Sequence, residues 1–175
     1  MSTIYLVMIV FLFVLAIIDL WVGVSNDAVN FLNSAVGSKV TSLKKIIFIA
    51  AIGVFVGAAA SNGMMDIARH GIFRPEQFSF EEIMCIFMAV MLTDVILLDV
   101  FNSLGMPTST TVSLVFELLG GTFCLACIKI AGDTTGALNF YSLLNTGKAL
   151  EVILGIFLSV GIAFVVGTLV QWIAR

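Results

Sequence analysis

The sequence predicts an all-α polytopic membrane protein with about five hydrophobic helical segments. Three observations predict it. First, 61% of the 175 residues are hydrophobic and only 11% are charged, with a mean hydropathy of +1.18, whereas a soluble domain carries about 25% charged residues. So few charges cannot cover a water-facing surface. Second, the apolar residues gather into runs close to the roughly 20 residues that cross a bilayer core. Third, Asp19, Asp94, Asp99 and Glu117 stand inside those runs, where a lipid-facing acid costs several kcal/mol, so they face a bundle interior or cavity; the absence of a central Lys or Arg favours cation coordination or proton relay over an ion pair or shared proton between helices. The formal net charge of −3 argues against a nucleic-acid partner, which calls for a basic surface.

The first run, Ile4 to Val24, is interrupted only by Asp19. No Lys or Arg precedes it, it exceeds a signal peptide's apolar core of about 7–15 residues, and no small-x-small cleavage site follows. It reads as a retained span. "GVSNDAVNFLNSAVGSKV" then places Asn26, Asp27, Asn30 and Asn33 where the helix should be finishing. Asn26, Asp27 and Asn30 are three and four apart, near one face of a helix. A carboxylate, amide oxygens and any carbonyls freed by a break make a hard-oxygen site for a small cation. Unwound backbone at membrane depth is tolerated where it lines a cavity, as in transporters that bind coupling ions near the midplane. The plainer alternative is that Ser25, Asn26 and Asp27 cap the next helix in the headgroup region. The segment 31–40 is too short to cross and too apolar for an aqueous loop, so a broken helix near residues 24–38 is expected.

The second run, Ile46 to Met65, is entered through Lys44 and Lys45 and carries Gly53-x-x-x-Gly57, a close-packing face for another helix. Gly155, Gly161 and Gly167 suggest the same in the fifth run, Val152 to Ile173. The third run, Ile83 to Phe101, carries Asp94 and Asp99, and the fourth, Val112 to Ile130, carries Glu117. Asp94 and Asp99 are candidates for a second cation site, pointing in somewhat different directions at a spacing of five. Residues 66–82 and 131–148 read as aqueous loops, with His70 a surface histidine. Lys and Arg divide four against four between the two sides, Arg69, Arg74, Lys129 and Lys148 against Lys39, Lys44, Lys45 and Arg175, which leaves the orientation open. Cys85, Cys124 and Cys127 lie in apolar runs and read as small packing residues, since Cys124-x-x-Cys127 lacks the context of a redox or zinc motif.

Between the third and fourth runs stands "GMPTSTTVS". Proline suits a helix's first turn, and hydroxyls at a helix start cap its free N–H groups. Those N–H groups and the helix dipole form an anion site that needs no net charge. A half-helix start near residue 107 is expected, with Thr108, Ser109, Thr110 and Thr111 as anion-binding residues. An ordinary capped membrane helix is the alternative.

Both marked clusters resemble the PiT family of inorganic phosphate transporters. The family's Gly-Ala-Asn-Asp-Val-Ala-Asn signature stands here as Val24-Ser25-Asn26-Asp27-Ala28-Val29-Asn30, followed by Ala35-Val36-Gly37-Ser38. Its Leu-Pro-x-Ser-x-Thr-His stands as Met106-Pro107-Thr108-Ser109-Thr110-Thr111-Val112. The chain departs from the family at Val24 for glycine and Val112 for histidine, and no acid lies between Lys45 and Asp66. The resemblance implies an ion-coupled phosphate symporter in the cell (inner) membrane, driven by Na⁺ or H⁺, with no other cofactor and with two inverted repeats that each bear one signature. Only one copy is present. Residues 1–175 are therefore expected to be a single membrane domain, the N-terminal repeat of a longer transporter, partnered by the second repeat or by a second copy. Asn26, Asp27 and Asn30 would hold the cation (Na⁺ if sodium-coupled), and Ser109, Thr110, Thr111 and Thr108 the phosphate. The alternatives are an uncoupled channel, a structural membrane subunit, or a carrier of another oxyanion such as sulfate. An enzyme is not expected, because no nucleophile–base pair or cofactor loop is visible.

Overall fold

The computed structural model describes residues 3–61, 72–106, 108–134, 136 and 138–174. Five long helices carry it: α1 (Thr3–Gly37), α2 (Leu43–Ala60), α3 (Phe80–Leu104), α4 (Thr110–Gly132) and α5 (Thr146–Ile173). Each is long and apolar enough to cross a membrane. No strand forms among the described residues, and the chain is an integral membrane protein, as its composition requires.

α1 packs chiefly on α3, and α3 on α4. α1 and α3 run parallel, since the Tyr5 hydroxyl donates to Glu81 at one end and Asn26 meets Asn102 at the other. α4 returns, bringing Lys129 to Glu82 at 2.9 Å near the Tyr5 end. α3 begins with a capping box in which Ser79 N–H donates to Glu82 and Glu82 N–H to the Ser79 hydroxyl. It ends at Gly105 (φ +67°), with Met106 N–H donating to Phe101 O and Gly105 N–H to Asn102 O. That six-to-one and five-to-two closure needs a left-handed residue, which glycine adopts without a Cβ penalty.

The break expected near 24–38 does not occur. α1 continues through the polar cluster to Gly37, 35 residues in all, about 52 Å at 1.5 Å per residue. The polar side chains do not need to unwind it. The Ser25 hydroxyl donates back to Trp21 O within the helix, and Asn26, Asp27 and Asn30 find partners on α3 and at the head of α4. The chain turns only beyond, at Lys39 (φ 51°). The helix start expected near 107 is found close by, with Ser109 as the cap, but it opens a full helix rather than a half-helix. α4 starts at Thr110 and runs 23 residues, about 34 Å, enough to cross. Pro107 and His70 lie outside the described residues.

The connections read as aqueous loops are in part core. Ile72, Phe73, Leu143 and Leu144 are buried with Val90, Val115 and Leu118. An antiparallel bridge pairs Phe73 with Leu144, with Arg74 N–H donating to Leu143 O and Asn145 N–H to Ile72 O. Apolar residues inside polar stretches explain this. At the membrane surface they would otherwise face water, and burying one large apolar side chain there stabilises by about 1.5–3 kcal/mol. Between helices in lipid that driving force is absent, and packing and hydrogen bonds decide. Among the described residues nothing packs on the small-residue faces of α2 and α5: there is open space around Gly53, Gly57, Gly155, Gly161 and Gly167. The three cysteines are free thiols on exposed faces rather than packing residues.

Candidate functional site

The site is built where α1, α3 and the head of α4 meet, at the Asn26 end of the bundle. Inward positions of α3 recur every fourth residue, through Ile86, Val90, Asp94 and Leu98. This spacing keeps them on one face, and Asn102 continues the row. On α1 the inward row is Asp19, Gly23 and Asn26 or Asp27, with the exposed Asn30 at its end. On α4 it is Thr110, Ser113 and Glu117.

Asn26 is wholly buried. Its Oδ1 accepts from Thr108 N–H at 3.1 Å, and its Nδ2 donates to Asn102 Oδ1 at 2.8 Å. Asn30 Nδ2 donates to Thr108 O at 3.2 Å. The two signature asparagines therefore clasp both backbone groups of Thr108. Asn102 Nδ2 completes the junction by donating to Val22 O at 3.2 Å.

Asp27 stands beside this clasp. The Thr110 hydroxyl faces both its oxygens at 3.2 Å. Ser109 caps α4, its hydroxyl accepting from Val112 N–H at 3.4 Å. A cavity of about 230 Å³ opens here, lined by Asp27, Thr110 and Thr111 at one end and by Asp19 and Asp94 at the other, with Gly23 between. A carboxylate and a hydroxyl-rich helix start thus share one space, suited to a cation and an anion side by side.

Deeper in the bundle lies a second group. The Ser113 hydroxyl is 2.9 Å from Asp94 Oδ1 and 2.8 Å from Glu117 Oε1. Asp19 and Glu117 both lie within interaction range of Asp94. Asp94 is buried. Asp19 Oδ1 and Glu117 Oε2 are buried too and accept no hydrogen bond among the described residues. A hydroxyl has one hydrogen, so Ser113 satisfies both carboxyls only when one of them carries a proton. Glu117 also faces a separate cavity of about 230 Å³ with Thr93 and Gly121.

Of the sequence candidates, the structure brings Asn26, Asp27, Asn30, Thr108, Ser109, Thr110 and Thr111 to one junction, and Asp94 to the far end of the same cavity. Asp99 stands apart. It is one position off the inward row, exposed, with no ion pair or hydrogen bond among the described residues. Asn102 was not expected. The signal was its place eight residues beyond Asp94, two steps along the same row. Asp19 and Glu117 were visible as intramembrane acids, but only packing shows that they converge on Asp94. Among the described residues no three His, Cys, Asp or Glu side chains gather as a metal site.

A sequence model of the Phosphate transporter family matches residues 23–175, which takes in both signatures. A Thermococcus kodakarensis protein provisionally named a phosphate permease is 29% identical over 141 residues, covering 79% of this chain and 32% of its own length. A Pyrococcus abyssi protein of the same provisional name is 28% identical over the same extent. The chain thus spans about a third of the length of these curated relatives. No solved structure matches it.

Proposed function

The chain belongs to the phosphate transporter family, and from that premise we propose that it takes part in inorganic phosphate symport driven by Na⁺ or H⁺. One observation carries the proposal: Asp27 and the hydroxyl-rich start of α4 line the same cavity. Phosphate is an anion near neutral pH and is repelled by an ionised Asp27. A cation or proton at Asp27 cancels that repulsion, while Asn26 and Asn30 hold the adjoining Thr108 backbone. It also frees the Thr110 hydroxyl, which otherwise faces both Asp27 oxygens, to donate to a phosphate oxygen together with Ser109, Thr111 and the N–H groups of the helix start. Each ligand then raises the affinity for the other, and the coupling is reciprocal.

Asp94, with Asp19 and Glu117, supplies the second ion locus. Support for a proton there comes from Ser113, whose single hydrogen faces two carboxyls, and from the cavities on either side of the group. The chain acts as one membrane domain, an N-terminal repeat completed by an inverted second repeat or a second copy in the cell (inner) membrane. The extent of the relatives, about three times the matched region, supports this.

Asp27→Asn in the full-length protein tests the reading. Ion-driven phosphate uptake into cells or proteoliposomes falls to background while expression stays near the wild-type level. Wild-type uptake in that variant would refute the assignment. Accumulation against a phosphate gradient, collapsed when the sodium or proton gradient is dissipated, separates symport from an uncoupled channel, and competition with sulfate separates phosphate from another oxyanion.

A further inference from the structure

We propose that Asn102 is a positioning residue for this site: it orients the Asn26 amide and, through it, holds the Thr108 backbone at the head of α4 where the substrate anion docks. The inference rests on the phosphate-transport reading above and adds a residue that neither signature contains.

Asn26 has no contact with water, so each of its amide groups must be met by protein or left unsatisfied at a cost. The direction of the amides is fixed by chemistry. Thr108 N–H can only donate, so it selects Asn26 Oδ1, at 3.1 Å. Asn26 Nδ2 is thereby turned toward Asn102, whose Oδ1 accepts it at 2.8 Å. Asn102 Nδ2 then faces Val22 O, which can only accept, at 3.2 Å. A backbone donor closes one end of the chain of amides and a backbone acceptor the other. Neither side chain can flip without losing bonds at both of its ends.

Asn102 is also where three parts of the chain meet. It belongs to the last turn of α3, bonds two positions of α1, and reaches the α3–α4 link through Asn26. Thr108 precedes Ser109, Thr110 and Thr111 directly, so an error in its position passes to the hydroxyls beside Asp27. Asn102 touches neither ion nor anion in this scheme; it acts through Asn26.

Two variants of the full-length protein test this, with inorganic phosphate as the probe. Asn102→Leu keeps the side chain's bulk and removes both polar groups. Its apparent KM for phosphate rises about tenfold while the maximal rate changes less than about threefold, as expected when a buried amide loses its partner and the docking geometry loosens. Asn102→Asp behaves differently. With its carboxyl protonated it has one donor and one acceptor and reproduces both bonds; ionised, it sets an acceptor against Val22 O. The ratio of its KM to that of the wild type, compared at each pH, therefore falls toward one as the pH is lowered, while the ratio for Asn102→Leu stays flat. Wild-type KM in Asn102→Leu, or equal ratios for both variants at every pH, would overturn the inference. Should the leucine variant not fold, the pH course of the aspartate ratio decides alone. Hydrogen exchange at the Thr108 amide separates this inference from the reading beneath it. If the wild type carries no phosphate, that reading fails, and the inference then stands or falls on whether Asn102→Leu speeds exchange at Thr108 or leaves it unchanged.

Discussion

Two polar groups inside the bundle differ in how completely they are satisfied. At the junction, Asn26, Asn102, Asn30 and Thr108 pair amide with amide and amide with backbone, and the wholly buried Asn26 has partners on both sides. In the acid group, Ser113 offers one hydrogen to two carboxyls, and Asp19 Oδ1 and Glu117 Oε2 are buried with no hydrogen bond among the described residues. Buried polar groups in folded proteins are normally paired. A fully paired network rigidifies; an under-paired one stores a cost that a proton or ion relieves. On the proposed reading the contrast separates a frame from a working part: the junction would hold the substrate end in shape, and the acids would respond to the driving ion.

Beyond the loss of transport expected for Asp27→Asn, the comparison breaks most sharply at Asp94. Asp94→Asn removes the carboxyl and keeps the shape, so gradient-driven uptake falls about 10- to 100-fold, within the span of site-to-site coupling energies, and the melting temperature of the purified protein does not drop. A variant that melts earlier yet transports normally would move the acid group into the frame. Ser109→Ala has a smaller effect. It removes the cap of α4, costing about 1 kcal/mol, and raises the phosphate KM about fivefold; an unchanged KM would take Ser109 out of the substrate contacts. Lys129→Met gives the smallest effect. Lys129 bridges Glu82 and Gln77 O and lies over the Phe78 ring at the far end. Its loss lowers stability by about 0.2–1 kcal/mol and leaves the phosphate KM alone. A shift in KM would show that the two ends of the bundle communicate.

The spans were legible because a bilayer imposes a length and a composition, and the five runs satisfy both. Helix continuity was not. Asn26, Asp27 and Asn30 read as a break because a polar run in lipid needs partners, and the sequence does not show that α3 and the α4 head supply them. The same gap hid the buried character of Phe73 and Leu144, whose neighbours are polar in sequence and apolar in space. The two signatures located the candidate site. What they could not give was the division of labour within it, in which the asparagines hold Thr108 while Asp27 faces the cavity. Asp99 shows the converse: it resembles Asp94 in residue type and surroundings along the chain, and one step of helical rotation sets it on the opposite side.

Because α1 passes the junction without interruption, Tyr5 and Gly37 are the two tips of one stiff rod. Two contacts fasten it to α3, at Tyr5 and at Asn26, 21 residues or roughly 31 Å apart along the helix. A tilt of the unbent rod that loosens one contact therefore loads the other.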